Sequence, residues 1–130
     1  MTGSVPHAGE TRLPSPALVM RVALAYRSSA VLFAALDLDL FTRMRDDAQT
    51  VETLAAACGA HPPALRLLLD ACVTEGLATV EGERYRTAGA AAPFVAQGGA
   101  AYSASGFRYA QNLYGSWGRL ADLVRSGEPP

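Results

Sequence analysis

From Ser15 onward, apolar residues recur with a helical period. Leu18, Val22, Ala25, Ser29, Leu32 and Leu36 fall on one face, and Val19, Ala23, Tyr26, Ala30 and Phe33 on another. Ser15 is placed to cap this helix and Pro16 to open it. Only Arg21, Arg27 and Ser28 form a polar stripe, and a helix apolar nearly all round has to be covered on both sides. A small domain covers one side. Either a second subunit or a central position in the core covers the other. The stretch 36–44 then reads as a short second helix or a bent continuation of the first.

A compact set of elements follows. Thr50 is placed to cap a helix running to Cys58, with Glu52 in its first turn and Gly59 as its stop. Pro62 and Pro63 open the next helix, which runs to about Glu75 and ends at Gly76. Its apolar face is Leu65, Leu68, Leu69, Cys72 and Val73. Two β-prone runs, 77–80 and 84–86, flank Glu81-Gly82-Glu83 and predict a hairpin. Helix, turn, helix and hairpin is the winged-helix order. Thr87 is placed to cap a short Ala-rich helix broken at Pro93, and Gly98-Gly99 marks a joint. Residues 100–125 return to a helical pattern in which Phe107, Tyr114, Trp117, Ala121 and Val124 share a face. Gly106, Gly115 and Gly118 weaken it as a lone helix, so it needs something to pack against. Residues 1–14 read as a polar arm and 126–130 as a linker-like end.

Composition changes this picture only at its edges. The 130 residues, 50% apolar and 18% charged, suit one domain with a sizeable core and exclude a disordered chain. The net charge of −1 argues against a protein that neutralises phosphates or coats an anionic membrane. All eleven basic residues are Arg, and alanine occurs twenty-five times, which we read as the coding bias of a GC-rich genome. Cys58 and Cys72 lack a CxxC spacing and partner histidines, so they are expected to be reduced core residues. The N-terminus lacks the basic-then-apolar run of a signal peptide, and the apolar window 18–36 carries Arg21 and Arg27, which makes a poor membrane span. The expectation is a soluble cytoplasmic domain.

No catalytic constellation emerges. The two histidines are His7, in the polar arm, and His61, where a helix N-cap would sit. Neither an HExxH nor a His/Cys cluster is present, and Asp37 with Asp39, or Asp46 with Asp47, read as solvated or capping carboxylates. Ser28, Ser29, Ser103 and Ser105 lack a GxSxG elbow, and there is no GxGxxG after a strand and no Walker loop. DNA binding is disfavoured as well. The second helix of the module would be the reading helix, and it offers Arg66, Asp70 and Thr74, of which the first two lie one turn apart and offset each other. In the wing, Arg84 and Arg86 stand beside Glu81 and Glu83, whereas phosphate contact dominates nucleic-acid affinity.

Taken in order, several runs resemble the N-terminal dimerisation domain of class I S-adenosylmethionine-dependent small-molecule O-methyltransferases of bacteria and plants. They are AVLFAALDLDLF (30–41), TVETLAAACG (50–59), ALRLLLDA (64–71), EGL (75–77), EGERYRT (81–87), LYGSWGRL (113–120) and VRSGEP (124–129). The resemblance covers about residues 15–130. It implies a mainly α, winged-helix-like fold with a small β-hairpin wing, forming an intertwined dimer. In that frame 1–14 is a polar arm, 15–45 the dimerisation helices, 46–97 the winged-helix module, and 98–130 an aromatic helical segment leading to a catalytic domain. The family's catalytic half is a Rossmann-like domain with a glycine-rich cofactor loop and a histidine base, and no residue of this sequence matches those positions. The chain is therefore expected to hold no catalytic, cofactor-binding or metal-binding residue of its own, with S-adenosylmethionine belonging to the full-length family.

The resemblance implies a dimerisation and substrate-lid module for an enzyme acting on phenols, polyketides or other aromatic metabolites. Excision from a longer protein and separate encoding both remain open. A stand-alone accessory or binding homologue, partnering a catalytic subunit, is the second reading. A winged-helix DNA-binding regulator is the third. For the dimeric readings Tyr26, Ala30 and Phe33 are interface candidates. Phe107, Tyr114 and Trp117 are candidates for lining a pocket for a small aromatic ligand, with plain core packing as the alternative for each aromatic.

Overall fold

A computed structural model describes residue 3 and residues 13–129. The polar arm expected over 1–14 thus lies almost wholly outside the described residues. The fold is mainly α and winged-helix-like, with a three-stranded antiparallel sheet in place of the expected two-stranded hairpin.

The first apolar segment forms α1 (Ala17–Leu24) and α2 (Tyr26–Asp37) rather than one unbroken helix. Pro16 is the N-cap, one residue later than predicted, and the Ser15 Oγ still accepts a hydrogen bond from the Ala17 N–H at 3.2 Å. At Ala25 the N–H bonds the Val22 carbonyl three residues back, at 3.4 Å, a tight turn that separates the two helices without ending the helical path. Together they span 21 residues, with a mean hydropathy of 1.4 over their most apolar 18-residue window, long and apolar enough by length and composition alone to cross a membrane. A helix that a partner covers passes the same measure.

Asp39 then takes a left-handed conformation (φ 57°), which Asp tolerates better than most residues, and turns the chain into α3 (Leu40–Arg43). The turn sends Leu40, Phe41 and Met44 into the core. The strand β1 (Gln49–Thr50) follows, and then α4 (Val51–Cys58), where the Thr50 hydroxyl caps the helix by accepting from the Thr53 N–H at 3.2 Å. Gly59, left-handed at φ 67°, closes it. The next helix, α5 (Pro62–Thr74), begins at the two prolines and buries Leu65, Leu69 and Cys72. Leu68 and Val73, predicted for the same face, pack half-buried against that core.

The hairpin is β2 (Ala78–Glu81) and β3 (Arg84–Thr87), and β3 also pairs with β1, giving the order β1-β3-β2. Thr87 caps no helix. It is the last residue of β3, buried, and its hydroxyl donates to the Phe41 carbonyl at 2.7 Å while its N–H reaches the Met44 carbonyl at 3.2 Å. These two bonds pin the sheet to α3. The Ala-rich stretch is a turn, and α6 (Ala92–Val95) starts later, with Pro93 in its first turn instead of breaking it. The expected joint at Gly98-Gly99 is present, with Gly98 at φ 81°.

The last helical stretch is divided too. Ser103 caps α7 (Ala104–Trp117) by accepting from the Gly106 N–H at 3.1 Å, and Gly118-Arg119 interrupts the helix before α8 (Leu120–Ser126). The core is formed by Phe41, Leu40, Met44, Leu54, Leu69 and their neighbours, drawn from both sides of residue 46. Helices α1, α7 and α8 contribute no buried residue to it.

Candidate functional site

Helix α7 lies along α2. The Gln111 Nε2 donates to the Asp37 carboxylate at 2.8 Å, and the Phe33 and Tyr114 rings meet edge to face with centroids 5.5 Å apart. Phe33, expected at the subunit interface, thus already has an aromatic neighbour within its own chain. Ala30 is half-buried on the same helix. Tyr26 stands at the start of α2, exposed, and faces the end of α7 across a cleft of about 620 Å³ lined by Tyr26, Ser29, Tyr114, Gly115, Trp117 and Gly118.

The three lid candidates do not stay together. Tyr114 and Trp117 line that cleft, whereas Phe107 packs half-buried on the core beside Tyr102, ring centroids 6.2 Å apart. Phe107 faces a second, smaller cleft of about 240 Å³ with Asp37, Asp39, Tyr102, Arg108 and Gln111 at its edges. Sequence reasoning missed Ser29, Gly115 and Gly118 as cleft residues. The two glycines read there only as weak points of a helix, and their role shows only once α7 is laid on α2.

The helices on either side of this cleft in the chain carry further exposed apolar side chains. On one side are Leu18, Val19, Met20 and Val22 of α1, all exposed; on the other are Leu113, Leu120 and Val124 of α7 and α8, also exposed. Large apolar side chains exposed in this number point to an interaction surface.

The wing presents a different chemistry. The Arg84 guanidinium donates to the Ala48 carbonyl and that of Arg86 to the Asp46 carbonyl, so both are engaged with the backbone. Arg45 pairs with Asp46 at 3.1 Å, which raises the guanidinium and lowers the carboxyl from their ordinary values through the hydrogen bond first and the charge second. On the outer face of α5, Asp70 accepts a hydrogen bond from the Tyr85 hydroxyl. Burial, then the Asp70 contact, raises the Tyr85 phenol above its ordinary value. Both cysteines are free, and burial with the Glu75 charge second pushes the Cys72 thiol up to about 11. Among the described residues no three His, Cys, Asp or Glu side chains group closely enough to hold a metal ion.

The family model of the O-methyltransferase dimerisation domain matches residues 20–97. The chain belongs to this family. The dimerisation domain carries self-association with it. Over 120 residues it is 33% identical to the tetracenomycin polyketide synthesis 8-O-methyl transferase TcmO of Streptomyces glaucescens, covering 91% of this chain and 35% of that protein. Over 112 residues it is 33% identical to the acetylserotonin O-methyltransferase of Rattus norvegicus, covering 85% of this chain and 26% of that one. Among solved structures it superposes on an O-methyltransferase family protein from Burkholderia thailandensis with a TM-score of 0.79 at 26% identity, over 92% of this chain and 36% of that one. Human N-acetylserotonin methyltransferase in complex with SAM gives 0.78 at 28% identity, over 95% and 38%. The dimerisation domain thus spans about a third or less of the curated relatives it matches.

The described residues of the dimerisation domain do not fit the methyl donor that the human structure contains. Gly98-Gly99 follows a helix and not a strand. Two strands lead toward a helix, and neither does so through a glycine-rich turn: β1 runs directly into α4 at Thr50-Val51, and β3 leads through residues 88–91 into α6, which has four residues.

Proposed function

We propose that this chain is the dimerisation and substrate-lid part of a cytoplasmic S-adenosylmethionine-dependent O-methyltransferase of aromatic or polyketide metabolites. Methyl transfer would be carried by a catalytic half lying outside these residues, on the same polypeptide or on a partner subunit. The observation that carries the reading is the apolar surface of α1, α7 and α8, three helices with no buried residue in the single chain. Covering such faces is what a dimer of interlocking helices does, and apolar burial is the main driving force for it. Tyr114 and Trp117, set on that surface, are the lid candidates closest to an opening large enough for an aromatic metabolite. A DNA-reading role finds no support in the wing, whose two arginines are held by backbone carbonyls.

Sedimentation velocity at micromolar protein tests the reading. The expected species has twice the mass of the 13.6 kDa chain. A well-behaved monomer at that concentration overturns it. Calorimetry with S-adenosylmethionine is expected to give no saturable heat with this chain alone, and saturation would move the donor site into these residues.

A further inference from the structure

Gly98-Gly99 reads in the sequence as a joint, and the structure makes it a fixed corner. Gln97, the residue before it, reaches α3 and its flanks at three places. Its N–H donates to the Thr42 hydroxyl at 2.9 Å, its carbonyl accepts from the Arg45 guanidinium, and its side-chain Nε2 donates to the Asp39 carboxylate at 3.3 Å. The two glycines are equally confined. A Cβ on Gly98 would lie 2.7 Å from Arg45 Nη1, and one on Gly99 2.5 Å from the Pro93 carbonyl oxygen. Beyond the corner the Ala101 N–H returns to that same Pro93 carbonyl at 3.0 Å. The chain is thereby aimed from the core into α7.

Helix α7 itself is held lightly. It buries no residue, and among the described residues its one hydrogen bond to another element runs from Gln111 Nε2 to Asp37, at 2.8 Å. Apolar contact adds Phe107, half-buried on the core, and Tyr114 against Phe33. Asp37 and Asp39 stand two residues apart at the turn from α2 into α3, and each accepts an amide from the segment that crosses them. Both carboxylates, with Phe107 and Gln111, border the cleft of about 240 Å³. Three hydrogen bonds hold the base of the crossing segment and one holds its middle, so the middle is the end that opens first. We propose that Gln97 and Gln111 are positioning residues that bracket α7: Gln97 fixes its base on α3, and Gln111 is the latch whose release lets the helix lift from α2 and widen that cleft. The inference rests on the reading of α7 as part of a lid, and supplies the pivot and the catch that a lid requires.

Amide hydrogen exchange read by mass spectrometry, at one protein concentration for all variants, tests the bracket. Gln111→Leu keeps a good helix former and removes the donor. Exchange in α7 should rise about fivefold, the usual net worth of one hydrogen bond read as an opening equilibrium, with α4 and α5 unchanged. Gln97→Leu keeps both backbone bonds of that residue and loses the one to Asp39, and it should raise exchange over 98–103 as well as in α7. A charge swap separates positioning from packing. Gln111→Glu alone sets a like charge against Asp37 and should open α7 further. Paired with Asp37→Asn it restores an amide–carboxylate bond of reversed direction, and exchange should return to within about twofold of the original chain. Trp117, the single tryptophan, is the last residue of α7, so its quenching by acrylamide should follow the same order of variants. Unchanged α7 exchange in Gln111→Leu, or failure of the swap to restore it, overturns the latch. An equal rise across α4 and α5 overturns it too, because Gln111 would then support the whole fold. Unchanged exchange over 98–103 in Gln97→Leu overturns the fixed base. No ligand enters these measurements, so the lid reading is tested apart from them, by quenching of Trp117 with anthraquinone-2-sulfonate.

Discussion

Among single residues, Cys72 shows best how far environment governs chemistry. Its side chain is fully buried on α5, and removal from water raises the thiol from an ordinary 9.0 to about 11, with Glu75 adding to the effect. Tyr85 is raised in the same sense. In the unfolded chain both groups lose their protons earlier than in the folded one. The contribution of Cys72 to stability is therefore complete below about pH 9 and is lost as pH rises toward 11, and that of Tyr85 is lost in the same direction from about pH 10 upward. We expect the urea midpoint to fall over that interval. Cys72→Ala, although less stable at neutral pH through the cavity it leaves, should show a flatter decline. A parallel decline would assign the alkaline loss to other groups. At this scale the sequence was partly legible. It marked Cys72 as a core thiol because the residue sits on the apolar face of a helix with clear start and stop signals. It misplaced Thr87, because a threonine before an Ala-rich run looks like a helix cap, and only the packing of β3 against α3 shows its hydroxyl occupied by Phe41.

At the scale of elements, legibility followed locality. The two helices α4 and α5 were readable because the cap, the prolines, the glycine stops and the apolar face all lie within their own segments. The strand β1 was not, since two residues, Gln49 and Thr50, carry no alternation and acquire strand geometry only by pairing with Tyr85 and Arg84. The break between α7 and α8 shows the opposite error, a helical pattern extended through Gly118-Arg119 because the apolar spacing resumes beyond it. The joint at Gly99 is the sharpest local constraint. A Cβ there would sit 2.5 Å from the Pro93 carbonyl oxygen, and a backbone atom cannot swing away as a side chain does. Gly99→Ala should therefore destabilise the fold by about 1–3 kcal/mol in urea denaturation, the usual scale for overpacking. Gly115→Ala, with open space for its Cβ and a helical backbone, should be neutral or stabilising under the same measurement.

For the whole molecule, what remained illegible was the cleft itself. Tyr26 and Trp117 stand near opposite ends of the chain, and nothing in either segment says that α7 will lie along α2. The apolar excess, by contrast, was readable as a demand for cover, and the exposed faces of α1, α7 and α8 show where it falls. That surface makes stability and assembly separable by mutation. Val22, 67% exposed on α1, can become Asp at little cost to a lone chain, because surface changes stay within about 0.5 kcal/mol. Covering that carboxylate in a dimer is costly. Val22→Asp should raise the dimer dissociation constant tenfold or more in sedimentation equilibrium while the circular dichroism of the chain is unchanged. Loss of helix signal in the variant would instead place Val22 in the fold of the single chain.

Helix α8 has seven residues, none of them buried, and it follows a break instead of extending a longer helix. Isolated helices in water are marginal below about 12–15 residues, so α8 depends on whatever covers it. The cellular consequence is one of lifetime. A newly made copy that has not met its partner displays a fraying apolar helix, the form that chaperones hold and proteases cut, whereas a paired copy hides it. Abundance would then track pairing, and unpaired chains would be cleared before they accumulate.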